Sequence, residues 1–143
     1  MKINEYNDDY GTCVETYSTL RIFSDDLLPD DITGALKRQP TETFAIGEEF
    51  GSSGRKRKFT GWFFSTEGVV VSRDTRRHVD AILSELEGSG DALVSLINQG
   101  CRADICSYWL SVGHGGPMLE PEQMKRLSDM TLPVWWDVYF DDP

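Results

Sequence analysis

The sequence predicts an α+β domain in which a mostly antiparallel sheet has helices packed mainly on one face. Some segments alternate apolar and polar residues with the period of a strand, and others repeat apolar residues with the period of a helix. The two kinds of segment are interleaved along 143 residues, a length that supports one hydrophobic core. We therefore interpret residues 1–143 as a single domain, with polar, acidic residues 1–11 as a loose N-terminal segment.

The first half of the chain is predicted to contain three strands and one helix. The first strand covers residues 13–24 and places these residues on one face: Val14, Thr16, Ser18, Leu20 and Ile22. Pro29, followed by two acids, begins a short helix that Pro40 prevents from continuing. Residues 41–50 and 59–68 are typical of strands, and glycines and serines in 51–58 indicate a loop. Residues 69–72 are predicted either to extend the preceding strand or to form a strand that pairs with it.

The second half is predicted to contain three helices and two strands. Asp74 or Ser72 caps the first of these helices, and a second helix ends near Gly100. A strand over 101–112 and a glycine-rich loop precede a helix that begins at Glu120 and faces Met124 and Leu127 inward. The last strand is predicted to bury one alternating set: Leu132, Val134, Trp136, Val138 and Phe140.

The order of the elements predicts a topology. The first part has a ferredoxin-like order of strand, helix, two strands, helices and strand, and a further helix and strand are appended. The C-terminal strand–helix–strand unit is expected to form a right-handed crossover, because nearly all such units do.

Charge and cysteine content limit the classes of partner and compartment. The net charge of −10 disfavours nucleic acid, whose binding depends on Lys and Arg, and allows a basic protein partner or a small molecule. No apolar run is long enough to span a membrane, and the start does not resemble a secretory signal. Three cysteines form no disulfide framework. These observations favour a cytoplasmic protein; its oligomeric state stays open.

The loop over residues 111–121 holds three glycines and His114, which makes it the first candidate for chemistry. The glycines allow close backbone approach to a ligand, but they match neither a dinucleotide-binding nor a phosphate-binding motif. Glu120 and Glu122 would repel an anion, so a flexible turn is the favoured interpretation. His114 is a weak catalytic candidate that needs a nearby carboxylate. Neither histidine has a second ligand at metal-binding spacing, so no metal or cofactor is predicted.

Aromatic and basic residues are the candidates for binding. Neighbouring aromatics on three predicted strands point to opposite faces, so each strand places a large ring on both sides of the sheet. The second face is either covered by other elements or forms an aromatic binding surface. The basic run at 55–58 is either a solvated loop or a contact site. The candidate binding residues are Trp62, Tyr108, Trp109, His114, Trp135, Arg55 and Arg57.

Several stretches together resemble a known family. They include "YSTLRIFSDDLLPDDITGAL", "GW" at Gly61 and Trp62, "HVDAILSEL", "DALVSLINQG", "ADICSYWLSVGHGG", "LEPEQMKRLSDM" and "VWWDVYF". As a set they resemble the bacterial family labelled domain of unknown function 4279, over nearly the whole chain from Cys13 to Phe140. The resemblance implies a small α+β domain and brings no catalytic residues.

Three classes of function follow from these observations. The favoured prediction is a non-enzymatic binding or protein-interaction domain of the antitoxin-like or immunity-like kind. The first alternative is a small-ligand-binding regulatory module, which needs a concave apolar pocket with convergent polar groups. The second alternative is an enzyme that uses His114 with a nearby carboxylate. The identity of the partner or ligand stays open.

Overall fold

The structure, a computed structural model, describes residues 5–141 and confirms the predicted α+β class. Residues 1–4 of the segment predicted to be loose lie outside the described residues. The strands are β1 (Cys13–Ser24), β2 (Glu42–Phe44), β3 (Glu49–Phe50), β4 (Arg55–Lys56), β5 (Thr60–Ser65), β6 (Arg102–Ser111) and β7 (Val134–Phe140). The helices are α1 (Pro29–Leu36), α2 (Thr75–Glu85), α3 (Gly90–Asn98) and α4 (Pro121–Asp129).

Five strands form one sheet in the order β2–β5–β1–β6–β7, and β3 and β4 form a separate hairpin. The sheet is mostly antiparallel, as predicted, and only β6 and β7 pair in parallel. Helix α4 connects these two parallel strands, as a crossover unit requires. The ferredoxin-like order of the first part stays a prediction.

All four helices lie against one face of the sheet. Alternate residues of β1, β5 and β6 point to this face, among them Leu20, Trp62 and Ile105, and each is almost completely buried. Helix residues complete the same cluster: Ile32, Leu36, Val79, Ile82, Leu83, Leu93, Leu96 and Leu127. The predicted placement of the helices on one face is therefore confirmed, and the other face of the sheet has no helix across it in residues 5–141.

The helix starts follow the predicted signals. In α1, Pro29 occupies the first turn and the Asp31 carboxylate accepts a hydrogen bond from the Leu28 amide at 2.8 Å. In α2, Asp74 caps the helix by accepting from the Arg76 amide at 3.0 Å. Each carboxylate satisfies an amide that a helix start leaves without a partner.

Residues 5–12 lie across the start of α2. The Asn7 amide donates to the Asp74 carboxylate at 2.6 Å, and the Arg73 amide donates to the Asp8 carbonyl at 2.9 Å. The Asp8 carboxylate also accepts from Arg77 at 2.8 Å and from Ser72 at 2.6 Å. These bonds fix the segment against the loop that precedes α2, and they bring its carboxylates close to the sheet.

The structure corrects several details of the sequence prediction. A β-bulge between Cys13 and Glu15 leaves Val14 exposed, because the extra residue has no partner on β6. Residues 69–72 form a loop and no strand, whereas the predicted loop at 51–58 contains part of the β3–β4 hairpin. Met124 is exposed, because Gln123 and Leu127 are the buried residues of α4.

The last strand is only partly covered. Val134 packs on the core cluster, and the Trp136 indole Nε1 donates to Thr75 Oγ1 at 3.4 Å at the start of α2. Val138 and Phe140 share their face but are exposed, Phe140 to 73%. The predictions that Val138 and Phe140 are buried were wrong. The two residues lie on the last strand of the sheet, beside Trp109 and Ser111 of β6, and neither belongs to the core cluster.

Candidate functional site

The helix-free face of the sheet, which we call the open face, is the candidate site. Its side chains alternate with those of the core and lie on every strand of the sheet, half-buried or exposed. They are Tyr17, Thr19, Arg21, Phe23, Glu42, Phe44, Phe63, Asp104, Cys106, Tyr108, Trp135, Asp137 and Tyr139. An aromatic surface of this extent, left without a covering layer, is typical of a binding surface.

Three tyrosines form one end of the open face, which we call the tyrosine end. The rings of Tyr17 and Tyr108 stack with centroids 5.0 Å apart, and those of Tyr108 and Tyr139 lie 5.3 Å apart. The Tyr139 hydroxyl donates to the Asp137 carboxylate at 3.0 Å, and this bond raises the pKa of Tyr139. Burial, with the charges of Glu67 and Glu15, raises the pKa of Tyr17. The tyrosine end therefore presents neutral phenol rings beside carboxylates.

An acidic cleft of about 460 Å³ continues from the tyrosine end. Tyr17 lines it together with residues of the N-terminal segment, the start of β1 and the loop after β5. The lining carboxylates are those of Asp8, Asp9, Glu15 and Glu67, and the lining cation is Arg73. Within residues 5–141 the ion pairs include Asp8, which binds Arg77, and none of the other three acids.

An ion pair organises the centre of the open face. Arg21 Nε and Nη2 donate to the two oxygens of Asp104 at 2.8 and 2.6 Å, and this pairing raises the pKa of Arg21. The guanidinium carbon lies 5.3 Å from the Phe23 ring centroid and 5.2 Å from that of Trp135. Trp135 Nε1 donates to Asp104 at 3.1 Å. Trp135 is thus held in one orientation while its side chain stays 41% exposed.

Four phenylalanines form the opposite end, the phenylalanine end. The rings of Phe23, Phe44, Phe59 and Phe63 lie with neighbouring centroids 5.6 to 5.7 Å apart. Gly61 makes this arrangement possible, because a Cβ at that position would lie 2.5 Å from the Phe44 ring. The β3–β4 hairpin borders this end and brings its basic residues to the aromatic rings.

The structure separates six of the seven predicted binding residues into three groups. Tyr108 and Trp135 lie on the open face, and Arg55 and Arg57 lie on the hairpin that borders it. Trp62 and Trp109 point to the helices and are 0% and 2% exposed. The Trp62 indole donates to Thr33 Oγ1 at 3.0 Å, as a buried core residue with a satisfied polar group does. The two buried tryptophans therefore lie outside the candidate surface.

The glycine-rich loop has a structural explanation. A Cβ at Gly115, which has φ +106°, would lie 2.1 Å from the Tyr10 hydroxyl, and the Gly116 amide donates to that hydroxyl at 3.0 Å. The glycines therefore allow Tyr10 to approach the loop closely. His114 is exposed and forms no hydrogen bond or ion pair with any described residue.

A buried polar network that the sequence analysis missed joins α2, α4 and the N-terminal segment. Arg76, 7% exposed, binds the Asp74 carboxylate at 2.7 Å and the Glu120 carboxylate at 2.7 Å. Its Nη2 also donates to the Glu5 carbonyl at 3.0 Å. These bonds raise the pKa of Arg76. No local pattern reveals the network, because its members come from three distant segments.

The other buried titratable groups are satisfied within the fold. His78 is fully buried, and its ring nitrogens lie 2.6 Å from Thr66 Oγ1 and 2.8 Å from the Ser72 carbonyl. Burial lowers the pKa of His78, so the neutral ring is favoured. Burial raises the pKa of the Cys106 thiol, which is the opposite of what a reactive thiolate needs. In the described part of the chain, no three His, Cys, Asp or Glu side chains are grouped so that they could hold a metal ion.

The fold and the site define a small α+β domain with one helix-covered face and one open aromatic face. The family model described as Domain of unknown function (DUF4279) matches residues 14–141, and the chain belongs to that family. No curated protein and no solved structure matches the chain. None of the helices in residues 5–141 is both long enough and apolar enough to cross a membrane.

Proposed function

We propose that the protein is a non-enzymatic binding domain for a basic segment of another protein, bound at the tyrosine end of the open face. One observation carries the proposal: the stacked tyrosines lead directly into a cleft in which Asp9, Glu15 and Glu67 have no ion-pair partner among residues 5–141. An arginine or lysine side chain of the partner supplies the missing positive charge.

The chemistry of the tyrosine end suits a cation. The faces of aromatic rings attract cations, and a guanidinium or ammonium gains most where carboxylates also face it. Tyr17 offers both, because its ring stacks on Tyr108 and its hydroxyl end lies near Glu15 and Glu67. The net charge of −10 adds a long-range attraction that steers a basic partner towards the chain.

The proposal extends to the cellular compartment and the biological role of the protein. An acidic domain in the bacterial cytoplasm that binds a basic partner fits an antitoxin-like or immunity-like role. The alternative of an enzyme that uses His114 has no support among residues 5–141, since no carboxylate contacts that side chain. The alternative of a small-ligand-binding module rests on a different part of the surface, the hairpin.

The test uses a short peptide of alternating arginine and glycine as the probe, and a glutamate–glycine peptide as the matched control. We expect the arginine peptide to shift the backbone amide NMR signals of Glu15, Tyr17 and Glu67, and the glutamate peptide to leave them in place. The double variant Glu15→Gln/Glu67→Gln is expected to weaken binding several-fold, because it removes two of the carboxylates that face the cation.

A second double variant, Asp91→Asn/Glu122→Gln, changes the net charge by the same amount at exposed helix positions away from the cleft. It is expected to bind the arginine peptide as the wild type does. Equal losses in the two double variants would mean that only the net charge matters, and the proposed site would be rejected. Signal shifts confined to the helix-covered side of the molecule would reject it as well.

A further inference from the structure

The β3–β4 hairpin holds its basic residues in an ordered arrangement. Two glycines with φ +70°, Gly51 and Gly54, form the turn, and Phe50 pairs with Arg55 across the hairpin. The Arg57 amide donates to the Glu48 carbonyl at 2.8 Å, and the Arg57 carbonyl accepts from the Gly47 amide at 2.8 Å. Backbone hydrogen bonds therefore continue past the end of β4 and fix the position of Arg57.

Arg57 is clamped between two aromatic rings. Its guanidinium carbon lies 4.2 Å from the ring centroid of Phe44 and 4.2 Å from that of Phe50. Its Nε is buried, yet within residues 5–141 this donor has no hydrogen-bond acceptor. A buried donor without an acceptor is costly to leave in a folded protein, so the missing acceptor points to a ligand.

The cations around Arg57 form no ion pairs within the described part of the chain. None of the ion pairs within residues 5–141 includes Arg55, Lys56, Arg57 or Lys58, although acids outnumber bases by 24 to 14 in the whole chain. Glu49 lies across the hairpin from Lys56, and the neighbouring Glu48 carboxylate accepts from the Ala45 amide at 2.7 Å. Arg55, Lys56 and Lys58 are exposed and Arg57 is half-buried, so this group of cations is open to an anion.

These cations line a cleft of about 360 Å³ together with Phe50 and Phe59. A cleft of this size suits a small molecule. A nucleic acid polymer would extend beyond it over a chain of net charge −10, which repels phosphates. Guanidinium groups bind phosphate in a fork-like geometry, and exposed aromatic rings stack on planar rings.

We infer that the β3–β4 hairpin binds a small organic polyanion that carries both phosphate groups and a planar ring, the chemistry of a nucleoside diphosphate. The phosphates accept from Arg57, including its Nε, and from the neighbouring cations, and the planar ring lies against Phe59. This site is separate from the tyrosine end and does not depend on the function proposed for it.

The test is calorimetric titration of the full chain with ADP, pyrophosphate and adenosine at about 0.15 M salt, where weak surface attraction is largely screened. ADP is expected to bind saturably and more tightly than pyrophosphate, and adenosine alone is expected to bind weakly or not at all. Arg57→Met is expected to weaken ADP binding by about tenfold or more, since it removes charge-assisted hydrogen bonds. Lys125→Met, an exposed change of the same charge on α4, is expected to have no effect.

Arg55→Gln serves as a second variant, because Arg55 is exposed and its loss leaves the clamp on Arg57 intact. It is expected to fold as the wild type does and to weaken ADP binding by a smaller factor. Unchanged ADP binding in both hairpin variants would overturn the inference, as would the absence of saturable binding by the wild type. If a single-stranded oligonucleotide bound more tightly than ADP, the preferred ligand would be a polymer and not a small molecule, and the inference would also be overturned.

Discussion

Both faces of the sheet carry aromatic residues, but only one face is buried beneath helices. On the helix side Trp62 and Trp109 are buried, whereas on the open side Tyr108 and Trp135 keep part of their rings in solvent. The same strands supply both sets, because adjacent residues of a strand point in opposite directions. The difference comes from the helices, all of which pack on one side. Aromatic content alone thus does not identify a core.

The sharpest way to test this difference is to delete one tryptophan from each face. Trp62→Ala is expected to lower the free energy of unfolding by about 3–5 kcal/mol, because it leaves a large cavity in the core. Trp135→Ala is expected to lower it by about 1 kcal/mol or less, because that ring is 41% exposed. Urea denaturation followed by circular dichroism measures both. Equal losses would mean that the open face is a second core.

An ion pair on each side of the molecule gives a second test. Arg76→Met breaks the buried network. It is expected to lower the free energy of unfolding by about 3 kcal/mol, because it leaves Asp74 buried without its cation. Arg21→Met removes a half-exposed pair with Asp104 and is expected to destabilise by about 1 kcal/mol. The same denaturation experiment measures the two losses. A larger loss for Arg21→Met would place the tighter electrostatic network on the open face.

Buried His78 and exposed His114 are expected to differ in their effect on the pH dependence of stability. The folded-state pKa of His78 is lowered, so the unfolded chain takes up the proton first as the pH falls. The contribution of His78 is therefore fully present above about pH 6.5 and is lost below it, with a slope of at most about 1.4 kcal/mol per pH unit.

His78→Gln is expected to flatten the stability profile between about pH 7 and pH 5.5, relative to the wild type. His114→Gln, at the exposed loop position, is the matched control and is expected to keep the wild-type slope. Both variants are measured by urea denaturation at a series of pH values. A wild-type slope in His78→Gln would show that another group carries the pH dependence.

The smallest effect is expected at the uncovered end of β7. Phe140 shares a face with the core but is 73% exposed, so Phe140→Ser is expected to change stability by no more than about 0.5 kcal/mol. The matched change on the covered part of the same strand is Trp136→Ala, which is expected to be clearly more damaging. A large loss in Phe140→Ser would indicate that this end of the strand is covered in solution.

Local patterns were sufficient for most of the fold. The Pro29 and Asp74 signals predicted helix starts correctly, because capping depends on a few neighbouring residues. Neither the bulge beside Val14 nor the exposure of Val138 could be predicted from local pattern. The bulge depends on the register of β1 with β6, and the exposure of Val138 depends on which part of the edge strand the helices cover.

The candidate site was predictable only in part. Alternation placed Tyr108 and Trp135 on faces opposite to their buried neighbours, but it could not tell which face the helices would cover. The clamp on Arg57 brings Phe44 and Phe50 together from both sides of a turn, and no local pattern encodes that approach. The Arg76 network was missed for the same reason.

The position of β7 at the end of the sheet has a consequence for handling the protein. Among residues 5–141 no strand pairs with its outer edge, and Trp135, Val138 and Tyr139 of this strand are exposed. Such an edge readily pairs with that of another molecule unless charge keeps the molecules apart. Here that charge is the acidic excess, which vanishes near the sequence pI of 4.5. Solubility should therefore be lowest near that pH, where edge-to-edge association would begin precipitation.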